Sequence, residues 1–132
     1  MRKTLVRWTL VGIMGGSGVL HFTHPEFYRK IVPRPLGHPD KVVALSGAAE
    51  LACAVTMVFP PTRRVGGWAT AGLLLAVFPA NIQMALDGGL KGAPFPANNA
   101  MLAWLRLPLQ IPAILMALSV AREQEMEAAL PR

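Results

Sequence analysis

The sequence predicts an all-α integral membrane protein, a four-helix bundle forming one domain over residues 1–132. Three observations predict it. The 132-residue chain is 53% hydrophobic and 15% charged, against roughly 25% charged in an average soluble domain. The charges are segregated: windows 5–22, 42–59, 66–86 and 100–121 together hold only Arg7, Glu50 and Arg106. Each window is about 20 residues long, which crosses a hydrocarbon core of about 30 Å. A soluble globule this small would need polar groups over most of its surface, so that class is excluded. A disordered chain is excluded by the same apolar content.

The net charge of +6 would point to nucleic acid in a soluble protein. Here Arg2, Lys3, Lys41, Arg63, Arg64 and Arg122 flank the windows, where they meet phospholipid head groups. The bilayer is therefore the expected partner, and nucleic acid is not. Cys53 is the single cysteine, so neither a disulfide framework nor a Cys-x-x-Cys redox pair exists within one chain.

The first helix is expected over 5–22. Its Met-Arg-Lys start looks like a signal peptide. Arg7 interrupts the apolar run, however, and no Ala-x-Ala site follows, so an uncleaved helix is expected. Gly12 and Gly16 have the spacing that lets membrane helices approach closely. The connection that follows carries Pro25, Pro33, Pro35 and Pro39, which forbid a long helix. A short interfacial helix fits near 25–32. Pro25 suits its first turn, Phe27 and Ile31 share a face, and Tyr28 suits the head-group level.

The second helix, 42–59, is closed by Pro60 and Pro61, with a tight turn through Thr62, Arg63 and Arg64. The third, 66–86, contains Pro79, which frees a carbonyl one turn earlier and kinks the helix. The loop 87–99 is rich in Gly, Pro and Asn. The fourth, 100–121, contains Pro108 and Pro112, and the charged tail 122–132 continues it into water. Trp8, Trp68 and Trp104 lie just inside window ends, as in an interfacial belt. Arg2, Lys3, Arg7, Arg63, Arg64, Arg122 and Arg132 outnumber Arg29, Lys30, Arg34, Lys41 and Lys91 on the opposite side. That majority favours both termini inside the cell, in its inner membrane.

Polar residues inside the membrane are the informative exceptions. At 1.5 Å per residue, Glu50 lies about 12 Å from the first-connection end of its helix. Arg106 and Asn81 lie about 9 and 8 Å from the third-connection ends of theirs. His21 sits in the last turn of the first helix. Those connections share one side of the membrane, so each helix contributes one polar residue to a single layer. Gln110 is i,i+4 from Arg106, and Ser46 and Cys53 share the Glu50 face.

Two readings of the layer stand open. Glu50 and Arg106 each cost about 2.5–3.5 kcal/mol at mid-membrane, so they could pair and lock two helices. Alternatively the layer lines a cavity in which His21 or Glu50 exchanges a proton and Arg106 or Gln110 holds an oxygen. A metal on His21, His24 and Glu50 lacks a specific spacing, and none is expected. His38, in the proline-rich loop, is expected to be solvated.

Several runs resemble the small DoxX-like membrane proteins. They are Gly18-Val19-Leu20-His21-Phe22-Thr23-His24-Pro25, Ile31-Val32-Pro33, Ser46-Gly47 with Glu50, and Pro61-Thr62-Arg63-Arg64. Val77-Phe78-Pro79-Ala80-Asn81-Ile82 with Met84-Ala85, and Leu105-Arg106-Leu107-Pro108-Leu109-Gln110, complete the set. The resemblance covers about residues 10–115. It implies a four-helix membrane bundle and a link to quinone-coupled sulfur oxidation or to complexes that handle oxidative stress. It assigns no reaction, so whether the chain is an enzyme is left open.

The expected function is a membrane-embedded binding subunit of a redox-linked complex. His21, Glu50, Asn81, Arg106 and Gln110 would form its pocket, with quinone as the candidate ligand. The rival is a structural or assembly subunit of a membrane complex whose polar layer only locks the bundle; besides the bilayer, the candidate partners are another membrane subunit or, in a homo-oligomer, a second copy of the chain. A transporter ranks last, because four helices enclose little volume.

Overall fold

A computed structural model describes residues 2–131. Met1 and Arg132, the second of which enters the charge majority above, lie outside the described residues. The protein is all-α, with no strand among the described residues. Its elements are α1 (Arg2–Thr23), α2 (Pro25–Arg29), α3 (Pro39–Val58), α4 (Arg63–Ala76), α5 (Phe78–Leu86) and α6 (Ala100–Ala129). Short 3-10 turns occupy Arg34–Leu36 and Pro60–Thr62.

Three segments are long and apolar enough to cross a membrane: Pro39–Val58, Pro60–Leu86 and Ala100–Glu123. Their surfaces agree with that. Leu45, Leu75, Leu109, Ile111 and Leu115 are each 60–71% exposed, an arrangement that favours lipid over water. α1 has 22 residues but is not among the three segments. Arg7, His21 and its glycines lower its hydropathy.

Local chemistry sets the boundaries. Prolines stand in the first turns of α2, α3 and α5, where a missing N–H costs nothing. Asn99 caps α6 by accepting from the Leu102 N–H at 3.0 Å, satisfying one of the otherwise unpaired first-turn donors. The 66–86 helix is not merely kinked. It is interrupted at Val77, and Pro79, having no N–H to give, stands in the first turn of the new segment α5. Pro108 and Pro112 lie inside α6, which runs unbroken for 30 residues. The same tetrapeptide, Phe-Pro-Ala-Asn, is helical at 78–81 and forms a turn at 95–98, so its surroundings decide its shape.

α1 packs along α3, and α4 along α6, with α3 against α4 and α1 against α6 closing the set. The predicted Gly12/Gly16 contact is not made: a Cβ at either would meet nothing within 4 Å. Gly18 and Gly47 make the α1–α3 crossing instead, since a Cβ on Gly47 would stand 2.6 Å from the His21 Cβ. Gly67 does the same for α4 and α6, its absent Cβ falling 2.6 Å from the Ala121 nitrogen and 2.8 Å from the Ala117 carbonyl.

The core has two parts. Leu10, Met14, Cys53, Met57, Ala117 and Val120 fill the half nearest both termini. Ile31, Met84, Leu90 and Ala103 form a smaller cluster under the connections at the other end. α5 packs mainly on α6 and makes no substantial contact with α1 or α3. The break at Val77 therefore leaves the α1–α3 pair and the α5–α6 pair apart on the connection side.

Candidate functional site

That separation forms a partly open cavity of about 780 Å³. His21, Glu50, Asn81, Arg106 and Gln110, the five residues singled out by depth, all line it, together with Ser17, Tyr28 and Ser46. Its volume falls within the roughly 300–1,000 Å³ of ordinary small-molecule sites, and its wall is mostly apolar with a few polar groups.

The first polar group arises from the Gly18–Gly47 crossing. His21 lies three residues after Gly18, and Glu50 three residues after Gly47, so the close approach brings their side chains together. His21 Nδ1 is 3.2 Å from Glu50 Oε2, and both side chains are at least nine-tenths buried. Nδ1 is also 2.8 Å from the Ser17 carbonyl. A carbonyl only accepts, so Nδ1 carries the hydrogen and donates it there. Glu50 Oε2 is buried and accepts no hydrogen bond from a protein group.

Tyr28 completes this wall. Its ring stacks on the His21 imidazole with centroids 3.7 Å apart. Burial pushes the phenol above its ordinary pKa, so it stays protonated at neutral pH. The connection that carries it is tied down from outside: Arg29 Nε pairs with Asp40 at 2.8 Å, and Lys30 Nζ donates to the Lys91 carbonyl at 2.7 Å.

The second polar group braces the broken helix. Asn81 Nδ2 donates to Gln110 Oε1 at 3.0 Å, and Gln110 Nε2 donates to the Leu74 carbonyl at 2.7 Å. Gln110 thus joins α4 to α5 across the interruption. Leu74 precedes Pro79 by about one turn, where a proline disturbs carbonyl pairing.

Arg106 stands apart. It is exposed, and its one side-chain contact of this kind is a weak one, from Nη1 to Met84 Sδ at 3.8 Å. The predicted alternative of a Glu50–Arg106 ion pair is corrected. Among the described residues Glu50 faces His21 and Arg106 enters no ion pair, because the cavity lies between α3 and α6.

Other candidates are also resolved. Ser46 lines the cavity, whereas Cys53 belongs to the apolar core. Gln83, another polar residue of α5, bonds Asp87 just past the helix end. His24 is exposed and bonds Thr23, and no cluster able to hold a metal occurs among the described residues. Tyr28 and Ser17 are the participants that spacing did not single out. Tyr28 has a head-group signature, and only the fold-back of α2 turns it onto His21.

A family model described as a domain of unknown function (DUF8561) matches residues 10–121, and the chain belongs to that family. The matched span contains every cavity residue named above. No curated protein matches the chain, and no solved structure matches it.

Proposed function

We propose, on the sequence motifs that carry the resemblance, that this chain is a DoxX-like membrane protein whose cavity binds a quinone or another small lipophilic ligand. It does so within a redox-linked membrane complex. Four spans carry it: α1, α3, α4 with α5, and α6. At 1.5 Å per residue α1 is about 33 Å long, and it shares the depth of α3 along their common contact. Arg7, near its end, can snorkel to the head groups. α2 lies at the interface, and both termini lie inside the cell membrane's cytoplasmic face.

The observation that carries the proposal is the single cavity shared by His21, Glu50, Asn81, Arg106 and Gln110. A quinone needs donors at its carbonyls and a proton source when reduced. Arg106 has free N–H groups for the first role. His21 and Glu50, in contact at 3.2 Å, suit the second. The test is the quinone content of protein purified from native membrane, measured by mass spectrometry. Enrichment over bulk lipid, lowered in Glu50→Gln and Arg106→Leu, supports the proposal. No enrichment in the wild type contradicts it.

One observation favours the structural alternative for part of the layer. Asn81 and Gln110 are engaged with each other and with Leu74, so their first role is to hold the helix break. In a purely structural or assembly subunit, a partner membrane protein would co-purify unchanged with the Glu50→Leu, Arg106→Leu double variant.

A further inference from the structure

The geometry points to Arg106 as the seat of an anionic phospholipid of the surrounding bilayer, its phosphate on the guanidinium and an acyl chain in a second, apolar cleft along α6. This goes beyond the cavity ligand and does not depend on it.

The second cleft lies between α6, α5 and the loop that precedes α6. It has a volume of about 340 Å³, and Met84, Pro96, Ala97, Leu102, Leu105 and Arg106 are among its walls. Every residue lining it except Arg106 is apolar. Leu105 and Leu109, both in its wall, are 49% and 62% exposed. Both belong to the apolar span Ala100–Glu123, so the cleft opens toward lipid. Arg106 also lines the larger cavity and therefore stands on the rim between the two.

The anion follows from Arg106. A guanidinium is always charged in a protein, and a charge at membrane depth ordinarily has a partner. Arg106 is exposed, and its one side-chain contact is the weak one to Met84 Sδ at 3.8 Å. The carboxylates at this end of the molecule are engaged elsewhere. Asp40 pairs with Arg29, Glu50 faces His21 and Asp87 accepts from Gln83. The acidic residues from Glu123 onward lie at least about 25 Å further along the same helix. A phosphate suits the vacancy in shape, since two of its oxygens can take two parallel N–H groups of a guanidinium. Three of the five donors then remain for the cavity side.

The phospholipid follows from what surrounds that charge. Arg106 lies about 9 Å from the start of α6, within reach of the head groups for a side chain that snorkels. The loop that walls the cleft brings further positive charge to that level. Leu90 donates to the Ala97 carbonyl at 2.8 Å, which sets Lys91 beside the cleft, and Lys30 Nζ is fastened to the Lys91 carbonyl at 2.7 Å. Neither lysine enters an ion pair among the described residues. Cations at head-group level above an apolar cleft attract an anionic lipid.

The test titrates the full chain in detergent micelles with phosphatidylglycerol or with phosphatidylcholine of the same acyl chains, and counts bound lipid by native mass spectrometry. The first phosphatidylglycerol should bind about tenfold tighter than phosphatidylcholine. Arg106→Leu should abolish that preference, and Arg64→Gln, at the opposite end of the molecule, should leave it unchanged. Equal binding of the two lipids by the wild type overturns the inference. So does a preference that survives Arg106→Leu, the result if the basic residues near the termini carry it.

A second measurement leaves Arg106 intact. Phosphatidylglycerol with a diazirine in one chain should label residues 102–109 in nanodiscs, and Leu105→Trp, which fills the cleft, should lower that labelling several-fold. Unchanged labelling overturns the cleft as the seat of the chain. Displacement of the bound lipid by equimolar palmitate would make the occupant a free fatty acid and overturn the phospholipid. None of these outcomes depends on the quinone content of the wild type, so the two proposals fail separately.

Discussion

The two ends of the molecule use the packing of α1, α3, α4 and α6 differently. Toward the termini, α1, α3, α4 and α6 are drawn together by Gly67 and by small side chains such as Ala71, Ala117 and Ala121, and Met57 and Leu10 are sealed between them. Toward the connections the Val77 break turns α5 mainly onto α6. The space that tight packing would fill becomes a cavity lined by His21, Glu50 and Arg106. One end stores its stability in close backbone approach. The other relies on a few polar bonds, chiefly those of Gln110, to hold a shape that packing does not enforce. A helix interruption beside a polar wall is thus the device that separates packed core from cavity.

The largest effect that sharpens this contrast is expected from Gly67→Leu. The new side chain would meet the Ala121 nitrogen and the Ala117 carbonyl, backbone atoms that cannot step aside. A loss of about 3 kcal/mol or failure to assemble is expected, read by monodispersity and melting in detergent. Met57→Ala, in the same half and fully buried, should cost about 2–5 kcal/mol. Leu109→Ala, on the cavity wall and largely exposed, should stay within about 0.5 kcal/mol. Equal losses from those two would erase the distinction between the halves.

An intermediate effect is expected from Gln110→Leu. It strands the Asn81 amide and the Leu74 carbonyl, costing about 1–3 kcal/mol, and hydrogen exchange of α5 should rise more than that of α4. The smallest effect is a pH difference. Burial disfavours the Tyr28 phenolate, so its folded pKa lies above the unfolded one. The protein should lose stability as pH rises past about 10, where an unfolded phenol ionises and the buried one resists. Tyr28→Phe should flatten that fall and leave melting near neutral pH little changed.

Much of this was legible in the sequence, for a physical reason. Depth along a helix is linear in residue number, so counting from the connections sufficed to bring His21, Glu50, Asn81, Arg106 and Gln110 to one level, and they share one cavity. Lateral relations are not linear in anything. Whether Glu50 meets Arg106 or His21 depends on which helices touch, and that is settled by Gly18 and Gly47 rather than by charge. Gly12 and Gly16 carry the familiar spacing but face outward. Pro79 announced a disturbance, but its size depended on the Gln110 brace supplied by α6. Tyr28 was invisible as a site residue because only the fold-back of α2 puts its ring on His21.

The central claim is that the polar wall serves a ligand rather than stability, and the melting temperature of Glu50→Leu in nanodiscs tests it most directly. His21 keeps its bond to the Ser17 carbonyl without Glu50, and the substitution removes a buried oxygen that no protein group satisfies. Melting should be unchanged or raised. A fall as deep as that of Met57→Ala would contradict the account and make Glu50 a structural lock.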